Sequence, residues 1–528
     1  MDINTMIQNE NGVTALMAAS KDSDLIFVVK YLLNHDSDNI NLYDKNKETA
    51  LFYAIYNIDA LRLLLDSNID ANYLNNNQDS FLTYCCRNKI YGPLKTLFVK
   101  DIVDVNVYDK NEKTALMYLM EDCRIAELKY LVDKETINFY YENSRKETAM
   151  SIFFKNYYEC YKQLNMEKIL KYVEVIKVLV EKNVNLNISI DEEGNTPMMF
   201  FFMIEDWISM TYLILNYTNL DLSFKNKKGE SFSSLCEKHK PTKESTYSGI
   251  NTKYLMYYIF TQPTFDASYR GISGINVLMN YIIHYFDNND ANYNKILSSH
   301  KEFSTVTNDD QENLLIVATK LGRQDVIYNI ISAEGCNVNQ QDILGNTALH
   351  YAIMLNDYYM ANLLAYNKAD INIKNKEGQS PVNMVNNSGD STMLKFLLKP
   401  CPAYKFKEKE KKGNSLFNLG KSYNFRELNV DLRKKYQEKY NSMIDSVKVD
   451  HKYIPNVTPK YNTEYYTDVF KVYFNDAAEA FDNEYSRYGH SPLYGSRVKI
   501  SPELYNMLIN KNTLKLNAFM HNNYLYHS

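Results

Sequence analysis

One short motif recurs along most of this chain at an interval close to 34 residues. The letters TALM at Thr114–Met117 return as TAM at Thr148–Met150, and the same frame continues in both directions. A period of roughly 20 to 50 residues indicates stacked supersecondary units, because one unit cannot bury its apolar face alone. The aligned starts are Thr14, Thr49, Ser80, Thr114, Thr148, Thr196, Ser231, Asn276, Asn313, Thr347, Ser380 and Ser415.

Each unit has the same internal order. A polar turn, such as DILGNT from Asp342, leads into a short helix, such as TALHYAIML from Thr347. A second helix follows, such as MANLLAY from Met360, and an extended piece such as NKADIN ends the unit. Apolar residues recur at helical spacing in both helices. Thr or Ser at each start can cap the first helix by accepting a backbone N–H.

The unit from Cys336 to Asn372 resembles the ankyrin repeat. It carries Thr-Ala-Leu-His at Thr347–His350, with Gly345 two, Asp342 five and Asn339 eight residues before the threonine. Register, motif and period agree across many units, so that the resemblance covers residues 2–440. It implies an all-α ankyrin-repeat solenoid of about twelve helix–turn–helix repeats with β-turn loops, followed by a short helical C-terminal region.

Several units depart from the family pattern. The glycine of the turn is replaced by Lys47, Gln78, Glu112 and Lys146. If the position still requires a positive φ, each replacement strains its turn. The histidine of the motif remains only at His350, where a hydrogen bond at the helix end is favoured over catalysis or metal binding.

Two units are longer than the rest, at 48 and 45 residues. The first contains KNYYECYKQLNMEKILKYVE, which predicts an extended helix, and the second contains KHKPTKESTYSGINT, which predicts an exposed loop. Insertions in solenoids map to loops and often to the binding face, although sequence drift also accounts for them.

The repeat frame fades toward the C-terminus. Gly413 and Ser415 keep it once more, which predicts a twelfth, charged unit that caps the array. Beyond residue 440 the period is lost. The predicted organisation is therefore a repeat array at 1–440, a linker at 441–466 and a helical region at 467–528.

The last segment has two interpretations. ISPELYNMLI from Ile500 is faintly similar to the start of the F-box, a helical module through which many ankyrin proteins recruit a ubiquitin ligase. It lacks the residue between Pro and Glu, and the chain is too short after it for a full box. The alternative is a helical pair that folds back on the last repeats. The ligase-recruiting residues would be Pro502, Glu503, Leu504, Leu508 and Ile509.

No motif of the chain indicates an enzyme. The P-loop, GxGxxG after a strand, HExxH and GxSxG are all missing, and the seven cysteines are scattered without a CxxC pair. We therefore expect no enzymatic activity, no cofactor, no metal site and no small-molecule substrate.

Composition limits the partners. The net charge is −5 and the run KFKEKEKK alternates with Glu, which argues against nucleic-acid binding. The N-terminus has no signal-peptide pattern, and Glu205 and Asp206 interrupt the most apolar run, which argues against membrane insertion. Reduced thiols suit the cytoplasm or the nucleus, where we expect the protein.

The resemblance implies a protein-interaction module or scaffold that binds a protein partner on its concave face and turn tips. Turn residues are free to vary because they do not pack the core, and Tyr offers a large contact area with few rotatable bonds. The candidate partner-binding residues are Tyr43, Lys45, Tyr108, Lys110, Tyr140 and Tyr141.

Overall fold

The structure, a computed structural model, is a stack of helix pairs. Successive first helices pack against one another, and so do successive second helices. The residues that it describes contain three isolated β-bridges and no strands. These residues are 7–35, 39–238, 256, 258–271, 274–284, 293–402, 429–445, 453, 469 and 472–473.

Eleven of the predicted units have a described first helix, which confirms the stack of helix pairs. The first helices are Ala15–Lys21, Ala50–Tyr53, Phe81–Arg87, Ala115–Glu121, Ala149–Gln163, Pro197–Met203, Phe232–Lys238, Val277–His284, Leu314–Lys320, Ala348–Met354 and Pro381–Ser388. The second helices are Ile26–His35, Ile58–Leu65, Leu94–Phe98, Ile125–Leu131, Met166–Glu181, Trp207–Asn216, Tyr293–Ser299, Gln324–Ser332, Tyr358–Tyr366 and Ser391–Leu398. The described array also contains the short helix Glu302–Thr305 and the 3-10 turns Ser23–Leu25 and Ala54–Tyr56. The predicted twelfth unit around Ser415 lies outside the described residues.

The residue at most of the described starts caps the first helix as expected. Thr148 has extended backbone angles, and its hydroxyl accepts the N–H of Ser151 at 3.0 Å. Asn313 caps the helix Leu314–Lys320 in the same way, by accepting the N–H of Ile316 at 3.0 Å. Thr49 is an exception, because its buried hydroxyl makes no cap hydrogen bond.

An Asp or Asn five residues before most of the described starts builds the turn. One carboxylate oxygen of Asp109 accepts the N–H groups of Asn111 and Lys113 at 2.9 and 3.1 Å, and the other accepts the hydroxyl of Tyr118 at 2.7 Å. Neighbouring turns are linked through the backbone, as where Lys110 donates to the carbonyl of Asn77 at 3.3 Å. The backbone-accepting pattern recurs at Asp44, Asn75, Asn143, Asn226, Asp342 and Asn375.

The turn position that is glycine in the family keeps a positive φ when glycine is absent. Lys47 and Gln78 both have φ of 58°, Glu112 has 56° and Lys146 has 59°. Gln311, which the sequence comparison overlooked, has 60°. The turn geometry is thus set by the repeat, and these side chains sit in a region that disfavours Cβ.

The 48-residue unit is longer because both of its helices are extended. The pair Ala149–Gln163 and Met166–Glu181 has 15 and 16 residues, where the sequence predicted a single extended helix. Leu164 joins them in the left-handed conformation, and Asn165 caps the second by accepting the N–H of Lys168. The predicted exposed loop of the 45-residue unit follows residue 238 and lies outside the described residues.

One further helix, Val430–Asp445, follows the array, and the predicted domain boundary at residue 440 falls inside it. The helix packs against Val277–His284 and reaches the turns and first helices of the next two units. The last residues of the predicted array therefore lie back on earlier repeats. Of the predicted linker and helical region, only residues 441–445, 453, 469, 472 and 473 are described.

Candidate protein-binding face

The turns and first helices together form one continuous surface, which we call the inner face. The predicted turn-tip residues lie at its edge. Tyr43, Tyr108 and Tyr140 are 46%, 49% and 60% exposed. Lys45 and Lys110 are exposed as well, and Tyr141 is half-buried.

Two pairs of tyrosines stack across neighbouring turns. The ring centroids of Tyr43 and Tyr73 are 5.5 Å apart, with 22° between their planes. Tyr108 and Tyr141 stack in the same manner at 5.4 Å and 16°. Each ring restricts the other, so that less side-chain entropy would be lost when a partner covers the pair. The sequence prediction named three of these four tyrosines and missed Tyr73.

The remaining candidates are held by polar contacts. The ammonium of Lys110 donates to the side-chain oxygen of Asn77 at 2.9 Å. The hydroxyl of Tyr140 accepts the amide of Asn185 at 2.8 Å. Lys45 is fixed through its backbone, since its N–H donates to the carbonyl of Asn11 at 3.0 Å. The six candidates therefore form two groups, one at residues 43–45 and one at 108–141.

Farther along the array, the helix Val430–Asp445 covers the inner face. Its Tyr440 is completely buried, and the hydroxyl donates to the carboxylate of Glu312 at 2.9 Å. Tyr436, one turn earlier, meets the ring of Tyr351 edge-on with centroids 5.8 Å apart. Ile444 continues the same side of the helix and is 5% exposed. Spacing of four residues places all three side chains against the repeats.

Basic and polar groups at the edges of this helix bind acceptors of the array. The guanidinium of Arg433 lies 3.3 Å from Asp357, and the ammonium of Lys439 lies 2.5 Å from Asp310. Gln437 donates to the carbonyl of Ile283 at 3.3 Å. On the opposite side, Lys434 and Glu438 point to solvent, with side chains 74% and 66% exposed.

A buried ion pair lies beneath the helix. The ammonium of Lys320 contacts the carboxylate of Glu312 and is 3.8 Å from that of Asp342. It also lies 4.0 Å from the ring centre of Tyr351 and 5.1 Å from that of Tyr436. Burial, together with Glu312 and Asp342, raises the pKa of Tyr436 to about 12. The phenol therefore remains neutral at physiological pH.

Two more distant tyrosines of the C-terminal part pack on the 48-residue unit and its neighbour. Tyr453 lies edge-on to Phe200 at 4.8 Å, and its hydroxyl donates to Asp191 at 2.8 Å. Tyr473 stacks on Tyr212 at 4.3 Å and is 4% exposed. The long helix pair thus provides part of the surface that holds the C-terminal part.

His350 has the structural role that the sequence favoured. Its Nδ1 accepts the N–H of Thr347 at 3.0 Å, while Nε2 is 3.2 Å from the carbonyl of Gln379 in the next unit. Burial lowers the pKa of this imidazole, which favours the neutral form that can accept and donate at once. The ring therefore links two repeats.

Other kinds of site are not found in the part of the chain that the structure describes. No three His, Cys, Asp or Glu side chains within it come together as a metal site. None of the described helices is long and apolar enough to cross a membrane. All seven cysteines are free thiols, five of them buried.

The structure brings together residues that the sequence analysis did not select. The sequence analysis placed Tyr436 and Tyr440 at the end of the repeat array and Ile444 in the linker, although their spacing of four residues marks one helical face. Tyr453 carried no sequence signal. The predicted ligase-recruiting residues, Pro502, Glu503, Leu504, Leu508 and Ile509, lie outside the described residues.

Comparison with known proteins identifies the repeats. A family model described as ankyrin repeats in three copies matches residues 2–75 and 278–375. An ankyrin repeat protein of Fowlpox virus (strain NVSL) is 35% identical over 16% of this chain and 20% of its own length. Ankyrin repeat domain-containing protein 13C of Homo sapiens is 40% identical over 12% of each chain. This chain thus spans a fifth or less of these relatives.

A solved structure is also similar in part. The ankyrin repeat domain of Bcl-3, a member of the IkappaB protein family, is 13% identical with a TM-score of 0.34. The alignment covers 43% of this chain and 95% of that domain.

Proposed function

Because this chain is an ankyrin-repeat protein, whose repeats form a protein–protein interaction module, we propose that it is a non-enzymatic scaffold that binds a protein partner on the inner face of residues 43–141. The observation that supports this assignment is the pair of tyrosine stacks, Tyr43 with Tyr73 and Tyr108 with Tyr141. Exposed, pre-ordered tyrosines combine large contact area with a hydroxyl that can hydrogen-bond a partner.

The partner is a protein, in the cytoplasm or the nucleus. A rigid array presents its surface without reordering, which keeps the entropic cost of association low. Nucleic acid, membrane and small-molecule ligands form no part of the proposal.

The test is affinity capture with mass spectrometry from the native cell, using the full chain and its Tyr43→Ala/Tyr108→Ala variant. Loss of one tyrosine from each stack should weaken partner capture by about tenfold or more, because interface tyrosines are frequent hot spots. Tyr328→Ala is the matched control, since Tyr328 is 60% exposed on a second helix, away from the inner face. Equal capture by all three proteins would exclude the turn tips as the binding surface.

A substrate adaptor of a ubiquitin ligase is the alternative, and it predicts a different capture result. A chain that ends at residue 473 keeps the docked residues Tyr453 and Tyr473 but lacks Pro502–Ile509. If ligase subunits accompany only the full chain, the adaptor function is supported. If both chains capture the same partners without ligase subunits, the scaffold function stands alone.

A further inference from the structure

The inner face over residues 276–284 and 293–357 holds a helix, and the way in which it holds the helix indicates a binding site that can be emptied. Three side chains on one side of the helix, Tyr436, Tyr440 and Ile444, enter the array. Arg433 and Lys439 flank them and meet Asp357 and Asp310. This is how an amphipathic helix binds in a groove, with anchoring side chains spaced one helical turn apart.

The buried charges of the groove are paired within the array itself. Lys320 is bound by Glu312 and Asp342, and the hydroxyl of Tyr351 also donates to Asp342. Asp357 caps the next helix by accepting the N–H of Met360 at 3.0 Å and receives the amide of Gln324 as well. Departure of the helix would therefore leave no buried charge without a partner. Leaving a buried charge unpaired is what would make emptying such a site costly.

The helix itself is suited to leaving. It is polar over most of its surface, and its exposed side carries Lys434 and Glu438, which pair with each other at 4.0 Å. Residues 403–428 connect it to the last repeat. A connection of 26 residues spans at most about 90 Å, so that the helix stays tethered to the array when it leaves the groove.

We propose that the inner face over residues 276–284 and 293–357 is a binding site for a helix of another protein that carries two tyrosines four residues apart with flanking basic residues. The helix Val430–Asp445 occupies this site in the free protein, and the external helix displaces it. Acceptors for the phenol and the basic groups are already in place, at Glu312, Asp310 and Asp357. The inference rests on the proposed function only in treating the inner face as a protein-binding surface.

The test uses a fluorescent synthetic peptide of residues 429–445 and the full chain. Tyr436→Ala/Tyr440→Ala in the full chain removes the anchors of the internal helix and leaves every groove residue intact. Fluorescence anisotropy should show that this variant binds the peptide at least tenfold more tightly than the wild-type chain, in which the internal helix competes. A peptide that carries the same two alanine substitutions should not bind.

Lys434→Ala/Glu438→Ala in the full chain is the matched control, because it changes two residues of the same helix that face solvent. It should behave as the wild type. Hydrogen exchange of the amides of residues 430–445 and 314–354 reports whether the internal helix is released and the repeats remain folded.

Two results would overturn the proposal. One is equal peptide affinity for the wild-type chain and the Tyr436→Ala/Tyr440→Ala variant, since the internal helix would then not occupy the site. The other is that the peptide does not bind the Tyr436→Ala/Tyr440→Ala variant although the repeats of this variant remain folded, whether or not its internal helix is released. Neither result involves Tyr43 or Tyr108, so that the proposed function is tested separately.

Discussion

At the scale of single residues, the turns show a conformational demand that several side chains meet at a cost. Lys47 adopts φ of 58° and its side chain is exposed. A residue with a Cβ is disfavoured at these angles by roughly 1–2 kcal/mol, whereas glycine adopts them freely. Glycine also loses more backbone entropy on folding, which offsets part of this advantage. The sequence anticipated the strain because glycine fills this position in other units.

Lys47→Gly should therefore stabilise the first repeats by about 1 kcal/mol, which urea unfolding of the full chain can measure. Lys45→Gly is the matched control, because Lys45 lies two residues away, is exposed and does not have positive φ. We expect the control to be neutral or slightly destabilising. A lower urea midpoint for Lys47→Gly than for the wild type would show that the lysine makes a compensating contact.

At the scale of secondary-structure elements, the extended helix pair of residues 149–181 contacts a later part of the chain. Its first helix packs Tyr158 against Tyr453, whose ring also contacts Phe200. The hydroxyl of Tyr453 donates to Asp191, and burial by this site raises the pKa of the phenol. The unusual length of this unit thus coincides with a docking surface for a later part of the chain.

Tyr453→Ala should loosen this docking without unfolding the array. Removal of a fully packed aromatic side chain costs roughly 3–5 kcal/mol of folding free energy. We expect the lost stability to be confined to the helices that contact Tyr453. Hydrogen exchange should quicken in the helices Ala149–Gln163 and Pro197–Met203 and remain unchanged in Ala15–Lys21. Tyr56→Ala, at a tyrosine 80% exposed, is the control and should change neither region. Unchanged exchange in the variant would mean that Tyr453 contributes little to holding these helices.

At the scale of the whole molecule, the helix Val430–Asp445 connects repeats that a simple stack would couple only through their neighbours. It reaches Ile283, Asp310 and Asp357, which belong to three successive units. In a repeat array, the stability is nearly the sum of the stabilities of the single units and of the interfaces between neighbours. A helix that contacts three units therefore makes their unfolding more cooperative.

A chain that ends at residue 402 should therefore unfold less cooperatively than the full chain. It loses the buried side chains of Tyr440 and Ile444, each of which contributes about 1.5–3 kcal/mol of burial. Differential scanning calorimetry should show a lower transition temperature for the repeats at 276–398. A chain that ends at residue 473 is the control and should match the full chain. Identical transitions for all three chains would show that the helix does not stabilise these repeats.

The sequence by itself determined the features that repeat. The period, the caps such as Thr148, the turn acceptors such as Asp109 and the role of His350 all follow from residues within one repeat or its neighbour. Such contacts recur many times, and each recurrence strengthens the same pattern. The helix pairs and the position of the inner face could therefore be predicted.

Only the tertiary structure decided what covers that face. Tyr440 meets Glu312 across 128 residues and Tyr453 meets Asp191 across 262. Each of these contacts occurs once and lies outside the repeat period, so that no pattern in the sequence marks it. The energy that selects them comes from burying a few tyrosines against acceptors that the folded array has already assembled. Those acceptors come into position only after the repeats have stacked.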